Sequence, residues 1–137
     1  MLMEECYLFD LPKFLDPRGN LSFLEENKQV PFEIKRTYWI YDVPGGEQRG
    51  GHSYKQNKEV IIALSGSFDI VLDDGREKKT ISLNRSYYAL YVDNGIWRHM
   101  ENFSTNALAL IVASTEYNEE DYERNYTSFI ESKNNRL

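Results

Sequence analysis

Short segments typical of β-strands recur at regular spacing through the middle of the chain, and turn-forming residues separate them. The turns at 65–66, 73–75 and 93–95 contain Gly, Asp, Asn or Ser, which suit the backbone angles of tight hairpins. The segments between them are rich in β-branched and aromatic residues. This pattern predicts an all-β fold, either a sandwich or a barrel. The predicted strands are 34–42, 59–64, 67–72, 77–83, 87–92, 97–102 and 106–114.

The two ends of the chain carry weaker signals. Near the N-terminus, weak alternation predicts a first strand with Tyr7, Phe9 and Leu11 on one face. Near the C-terminus, acidic residues open a segment whose apolar residues follow helical spacing, which predicts a helix. The predicted ranges are 1–15 for the first strand, 16–20 for a turn, 21–25 for a short strand, 118–130 for the helix and 131–137 for a frayed tail.

Composition narrows the class of protein. A chain of 137 residues, 41% hydrophobic, predicts a single domain spanning 1–137 with a substantial core. The formal charge of -6 argues against nonspecific nucleic-acid binding, which needs clustered Lys and Arg. The single cysteine, Cys6, excludes an internal disulfide and a cysteine-based zinc site. Since we find neither an apolar run of about 20 residues nor a signal peptide, we expect no membrane span and a cytoplasmic location.

The polar stretch 46–59 leads directly into the most apolar predicted strand and holds His52, one of two histidines in the chain. The spacing of its glycine, His52 and Glu59 resembles the first motif of the cupins, in which histidines and a glutamate converge on a metal inside a small β-barrel. Tyr54 stands where the second histidine of that motif belongs. Such a cluster at the start of a buried strand indicates a functional site.

A second stretch, 95–102, has the spacing of the second cupin motif, but Arg98 occupies the place of the histidine ligand. An arginine stays protonated in proteins, so it cannot ligate a cation and would repel one. We therefore predict a pocket without a metal. His99 lies one residue away, and on a strand it would point to the opposite face. Glu59 is expected to orient either His52 or a pocket arginine instead of a metal.

Longer motifs resemble one family in particular, the nucleotide-sugar 3,4-ketoisomerases. The resemblance covers nearly the whole chain, and it implies a cupin jelly roll with a short C-terminal helix, a homodimer with exchanged N-terminal strands, and no cofactor. It also implies action on dTDP-4-dehydro-6-deoxy-D-glucose, on routes to 3-amino-3,6-dideoxyhexoses of bacterial surface glycans. The motifs that carry it are Asp16-x-Arg18-Gly19, 25–28, Pro31-Phe32-x-Ile34-Lys35-Arg36, Arg49-Gly50-x-His52, 72–75, 90–92, Trp97 and Ala113-Ser114.

Base-catalysed transfer of a ketone between two sugar carbons needs a base, donors for an enediolate and cations for the diphosphate. His52 is the candidate base, because the usual pKa of histidine, about 6.5, lies near working pH. Arginines and tyrosines can stabilise the enediolate, and fixed cations can bind the diphosphate. The catalytic candidates are His52, Tyr54, Arg98 and Arg18. The substrate-binding candidates are Arg49, Arg36, Tyr38, Lys55 and Trp97.

The sequence leaves alternatives open for both the configuration of the product and the class of reaction. By resemblance, family members that form the galacto-configured product have histidines at the places of Tyr54 and Arg98, which favours dTDP-3-dehydro-6-deoxy-D-glucose here. Arg18, however, also occurs in the galacto-forming branch. A 3,5-epimerase-like cupin and a noncatalytic nucleotide-sugar-binding cupin are the two further alternatives. Trp39, Tyr41 and Phe68 are expected in the core or at dimer contacts.

Overall fold

The computed structural model describes residues 5–135, and its framework is two five-stranded antiparallel sheets. The first sheet has the strand order β1-β9-β6-β11-β4, and the second has the order β12-β5-β10-β7-β8. A two-stranded hairpin, β2-β3, lies outside both sheets. The strands are β1 Tyr7–Asp10, β2 Lys13–Phe14, β3 Leu21–Ser22, β4 Arg36–Ile40, β5 Arg49–Tyr54, β6 Glu59–Ser65, β7 Phe68–Asp73, β8 Lys78–Leu83, β9 Tyr88–Val92, β10 Trp97–Glu101, β11 Leu108–Ala113 and β12 Tyr122–Glu123.

The main apolar core fills the space between the inner faces of the two sheets. Ile61 and Ile111 from the first sheet and Ile70 and Leu72 from the second are at most 1% exposed. Burying a side chain of this size stabilises the fold by about 1.5–3 kcal/mol. The predicted all-β jelly roll is confirmed. The two sheets do not join into one continuous hydrogen-bonded barrel within residues 5–135, because β4 is not paired with β5 or β12.

The C-terminal region differs from the prediction. Residues 119–121 form a 3₁₀ turn, and β12 pairs antiparallel with β5 through Tyr122 and Tyr54. The helix α1, Tyr126–Asn134, begins later than predicted and occupies most of the range expected to fray. Asn125 caps it by accepting a 2.9 Å hydrogen bond from the Ser128 amide. In the described part of the chain, no helix combines the length and apolar character needed to cross a bilayer.

The N-terminal region covers part of the outer face of the first sheet. Phe9 and Leu11 pack there against Val60, Ile62 and Tyr91, so two of the three residues predicted to share a face enter one apolar cluster. The predicted first strand is shorter than expected and is followed by β2, and residues 1–4 of that prediction lie outside the described residues.

The β2-β3 hairpin carries exposed apolar residues. Phe14, Leu15 and Leu21 are 61%, 77% and 56% exposed, and the predicted strand at 21–25 is reduced to two residues. The hairpin also borders a groove of about 720 Å³ on the outer face of the first sheet, whose apolar lining includes Ile62 and Leu64. A two-stranded hairpin is marginally stable alone in water, so this one needs a surface to pack on.

Candidate active site

A cavity of about 420 Å³ lies where the edge of the first sheet at β4 faces the edge of the second sheet at β5 and β12. Five strands contribute side chains to it, and the residue after β12 completes one wall. The lining residues are Tyr38, Trp39, Ile40, Gln48, Arg49, Gly50, His52, Tyr54, Glu59, Arg98, Met100, Tyr122 and Arg124.

His52 lies in this cavity between two tyrosine rings. The centroid of its ring is 4.8 Å from that of Tyr54 and 5.0 Å from that of Tyr122. Both ring nitrogens are buried and have no hydrogen-bond partner within residues 5–135. Burial, followed by the positive charges of Arg98 and Arg124, lowers the pKa of His52 to about 3. The imidazole is therefore neutral at working pH and free to accept a proton from a bound molecule.

A buried ion pair forms the floor of the cavity. Arg98 Nη1 donates a 2.9 Å hydrogen bond to Glu59 Oε1, and each side chain is only 2% exposed. Nε and Nη2 of Arg98 donate hydrogen bonds to the main-chain oxygens of Asp93 and Ile96 at 3.0–3.2 Å. Glu59 also accepts hydrogen bonds from the Tyr38 hydroxyl and from Asn57 Nδ2. Glu59 was expected to orient either His52 or a pocket arginine, and it contacts the arginine, Arg98. This network fixes a positive charge beside His52.

Two tyrosine hydroxyls on the cavity wall remain protonated. Burial and the negative charge of Glu59 raise the pKa of Tyr38 and that of Tyr54. The guanidinium of Arg98 lies 5.0 Å from the centroid of the Tyr54 ring, within the range of a cation–π contact. The single hydroxyl proton of Tyr38 is already donated to Glu59, so Tyr54 is the phenol that can donate a hydrogen bond toward negative charge that develops in the cavity.

Positive side chains gather around the cavity. Arg49 and Arg124 line it, and Arg124 lies 4.3 Å from the centroid of the Tyr122 ring while it forms a bidentate pair with Glu119. Arg36 borders the same region, between Tyr38 and Tyr117, and its Nε is buried without a partner in the described structure. Guanidinium groups match the geometry of phosphate oxygens, so this end of the cavity suits an anionic ligand.

Three residues predicted for the site lie elsewhere in a single copy of the chain. Arg18 is at the tip of the β2-β3 hairpin, where its side chain is 90% exposed and pairs with Asp16. Lys55 lies outside the cavity and donates a 3.1 Å hydrogen bond to the main-chain oxygen of Glu120. Trp97 faces the outside of the second sheet, packed against Tyr126 and Phe129 of α1. Lys55 follows Tyr54, which faces inward, and Trp97 precedes Arg98, which also faces inward. Because side chains alternate along a strand, Lys55 and Trp97 point outward.

Sequence reasoning missed several residues of the cavity, among them Trp39, which was expected in the core or at a dimer contact, and the C-terminal residues Tyr122 and Arg124. Tyr122 and Arg124 follow the 3₁₀ turn, in a segment that we predicted to be helical. The sequence holds no motif that ties this segment to His52, about 70 positions earlier, and the pairing of β12 with β5 brings them together. Among residues 5–135, no three His, Cys, Asp or Glu side chains meet as a metal site would require.

The fold and the cavity define a class of protein, a small jelly roll whose pocket holds a neutral histidine, tyrosine hydroxyls and guanidinium groups. A pocket with these groups suits proton transfer on an anionic ligand. Comparison with known proteins agrees. Residues 4–134 match the family model described as FdtA, WxcM-like, C-terminal. The chain is 40% identical, over 91% of its length and 90% of the relative's, to the TDP-4-oxo-6-deoxy-alpha-D-glucose-3,4-oxoisomerase of Aneurinibacillus thermoaerophilus.

Solved structures give the same result. The TDP-quinovose 3,4-ketoisomerase of Campylobacter jejuni is 43% identical with a TM-score of 0.90, over 94% of this chain and 99% of that one. A sugar 3,4-ketoisomerase of Thermoanaerobacterium thermosaccharolyticum, solved with TDP, is 36% identical with a TM-score of 0.95, over 98% of both chains. A variant of that enzyme was solved with TDP-4-keto-6-deoxyglucose. The chain belongs to the WxcM-like, C-terminal family, and these relatives place it among the sugar 3,4-ketoisomerases.

Proposed function

We propose that this protein converts dTDP-4-dehydro-6-deoxy-D-glucose into its 3-keto isomer by moving the ketone from carbon 4 to carbon 3. The observation that carries the proposal is His52, a neutral imidazole that lines the cavity and whose two buried nitrogens have no partner in residues 5–135. The 3-keto product suits amination toward 3-amino-3,6-dideoxyhexoses of surface glycans, and we place the reaction in the cytoplasm, where nucleotide sugars are made.

The proposed reaction consists of two proton transfers at carbon and one between the two oxygens. His52 removes the proton from carbon 3, and the electron pair moves toward the carbonyl at carbon 4 to form an enediolate. The hydroxyl proton on the oxygen of carbon 3 passes to the oxygen of carbon 4, and protonation at carbon 4 then gives a ketone at carbon 3 and a hydroxyl at carbon 4. The substrate is oxidised at one carbon and reduced at the next, so the scheme needs no redox cofactor. The negative charge of the enediolate stabilises the imidazolium that forms beside it.

The other cavity residues have distinct parts in this proposal. Tyr54 donates a hydrogen bond to an enediolate oxygen, and one such donor contributes about 3 kcal/mol in comparable oxyanion sites. Tyr38, whose hydroxyl donates to Glu59, can accept a hydrogen bond from a substrate hydroxyl. Arg98, each of whose three side-chain nitrogens donates a hydrogen bond within the protein, acts mainly through its fixed charge. Arg49 and Arg124 bind the diphosphate at the open side of the cavity.

The direct test is proton NMR of dTDP-4-dehydro-6-deoxyglucose incubated with the protein in deuterated water. We expect deuterium at carbon 4 of the 3-keto isomer as it accumulates and, through the reverse reaction, at carbon 3 of the remaining 4-keto sugar. Deuterium at carbon 5 would indicate a 3,5-epimerase-like enzyme instead. Binding of the nucleotide sugar without any exchange would indicate a noncatalytic binding protein.

We propose the gluco-configured product, dTDP-3-dehydro-6-deoxy-D-glucose. Support comes from Tyr54 and Arg98, which stand where galacto-forming members of the family carry histidines, and from the 43% identity to a TDP-quinovose 3,4-ketoisomerase, since quinovose is 6-deoxyglucose. Proton spectra of the product formed in ordinary water decide the configuration, because carbon 4 then keeps a proton. Large couplings from an axial proton at carbon 4 support this product, whereas an axial hydroxyl there contradicts it.

We propose that two copies of the chain exchange their N-terminal strands and that each β2-β3 hairpin brings Arg18 to the site of its partner. The hairpin exposes apolar residues on both of its strands, and the groove beside it is lined by apolar residues of the first sheet. A second copy would cover both surfaces at once, because exchange of an identical element needs no new kind of contact. Arg18, with its side chain 90% exposed, would then contact the cavity of the other subunit.

Mixing two inactive variants tests this exchange. We expect co-expressed Arg18→Ala and His52→Asn chains to recover about a quarter of wild-type activity, because random pairing makes half of the dimers mixed and each mixed dimer has one intact site. Activity would be measured on the purified mixture, with each variant alone as the baseline. If Arg18 served the site of its own chain, each site would lack one residue and the mixture would stay inactive.

The lowered pKa of His52 predicts an unusual pH profile. We expect kcat/KM, which reports the free enzyme, to show no acid limb near pH 6.5, since His52 stays neutral down to about pH 3. The unfolded chain binds this proton below about pH 6.5 and the folded chain does not, so His52 lowers stability as the pH falls from there toward 3. A limb with a pKa near 6.5 in wild type that His99→Asn retains would contradict this prediction.

A further inference from the structure

Arg49 and His52 both line the cavity although they are three residues apart on β5. In a regular strand, successive side chains alternate between faces, so residues three apart point in opposite directions. Something in β5 must therefore break the alternation between these two residues.

The pairing of β5 with β10 shows where the break lies. Arg49 is opposite Met100, Gly50 is opposite His99, and His52 is opposite Arg98, so Gly51 has no residue opposite it. Two residues of β5 thus face one residue of β10, which is the arrangement of a β-bulge. Opposite residues share a face, and both Met100 and Arg98 line the cavity, so the bulge places Arg49 and His52 on the cavity side together.

Both glycines at this point have positive φ, but different constraints act on them. Gly50 has φ +94°, and a Cβ there would lie 3.1 Å from His99 Cα and 3.2 Å from the Arg98 carbonyl oxygen. Gly51 has φ +83°, and a Cβ there would have no atom within 4 Å. A side chain at Gly50 would therefore lack space, whereas at Gly51 only the positive φ disfavours a residue other than glycine.

We propose that the bulge at Gly51 is a positioning element that holds the diphosphate-binding Arg49 on the same face of β5 as the base His52. It thereby sets the separation between the substrate's anionic group and the carbon that loses its proton. The inference rests on the proposed function for the roles of these two residues, and on the strand register for their placement.

Loss of the bulge should displace Arg49 and leave His52 in place. The His52 end of β5 is anchored by the pairing of Ser53 and Tyr54 with β12, and Tyr54 is only 1% exposed. The Arg49 end is exposed and leads into a loop. Restoring regular alternation therefore costs least if Arg49 turns outward to solvent.

Substitutions at Gly51 test this proposal. Valine is branched at Cβ and disfavours positive φ, whereas asparagine tolerates it, and the open space around the position accommodates either side chain. We expect Gly51→Val to weaken TDP binding in calorimetry by roughly 10-fold, the size of one lost hydrogen bond to a charged group. Gly51→Asn should bind nearly as wild type, and kcat of Gly51→Val should fall far less than its KM rises.

A double variant and a matched control complete the test. Arg49→Ala combined with Gly51→Val should bind TDP no more weakly than Arg49→Ala alone, because the two changes remove the same contact. Gly46→Val is the control, since Gly46 has φ +84° and equal open space but lies outside the bulge; TDP affinity should change little. If the losses of TDP affinity from the two changes multiplied in the double variant, as independent effects do, the proposal would be overturned. Equal TDP binding by Gly51→Val and wild type would also overturn it.

The register can also be followed without ligand. Cross-strand backbone nuclear Overhauser contacts between Arg49 and Met100 should disappear in Gly51→Val and remain in Gly51→Asn. Their persistence in Gly51→Val would overturn the proposal. Wild-type TDP affinity of Arg49→Ala would instead contradict only the role of Arg49 in the proposed function, and the Overhauser contacts would still decide the bulge.

Discussion

His52→Asn is expected to lower isomerase turnover by about 10²–10⁴-fold, the contribution of a well-placed general base. The physical reason is that no other imidazole lines the cavity within residues 5–135, and the hydroxyls of Tyr38 and Tyr54 have raised pKa values, so they stay protonated and cannot act as the base. The measurement is the rate at which deuterium replaces the proton on carbon 3 of the 4-keto sugar in deuterated water.

Two controls separate loss of the base from loss of the fold. TDP affinity should stay close to wild type in His52→Asn, because the cavity arginines are unchanged. His99→Asn removes the other histidine, which lies on the opposite face of β10 and pairs with Glu101, and should leave turnover unchanged. Near-wild-type exchange by His52→Asn would contradict the assignment of the base.

Glu59→Ala is expected to have the largest effect on stability. It leaves the guanidinium of Arg98 buried without its counter-charge, and breaking a buried pair in this way costs about 3–5 kcal/mol. It also removes the acceptor used by Tyr38 and Asn57. For a chain of this size the loss corresponds to a fall in Tm of about 10–15 °C, measurable by scanning calorimetry.

Two further variants test whether the loss of stability in Glu59→Ala is caused by burial of the ion pair. Glu119→Ala removes a carboxylate that pairs with an arginine at 2.6 Å, but both side chains are more than half exposed, so Tm should hardly change. The double variant Glu59→Leu with Arg98→Met removes both charges and should recover most of the lost stability, since an apolar pair can replace a buried ion pair. Equal effects of Glu59→Ala and Glu119→Ala would contradict the explanation.

Most of the fold was predictable because strand alternation and turn residues are local signals. The strands β6 to β11 lie within or close to the predicted ranges. β5 was not predicted as a strand, because its sequence is polar and contains two glycines, which are depleted in strands. The acidic residues at 119–121 suggested the first turn of a helix, yet they form a 3₁₀ turn, and the chain then pairs with the edge of β5.

The candidate site was predictable in its centre and not at its rim. His52, Tyr54 and Arg98 lie in the cavity because motif spacing and strand alternation agree for them. Lys55 is next to Tyr54 and Trp97 is next to Arg98, so strand alternation alone predicts that both point away from the cavity. The motif resemblance led us to assign them to the site instead. Arg124 lies on a wall made by distant pairing, which no local pattern encodes.

The pairing of β12 with β5 also affects how the protein is made. A ribosome completes β5 about 70 residues before it reaches β12. Until then, β5, which carries His52, has no neighbour on the side where β12 belongs, and an unpaired strand edge invites association with other chains. The working cavity therefore cannot form before β12 is made, and a chain truncated before residue 122 would have its strand edge open and its site unfinished.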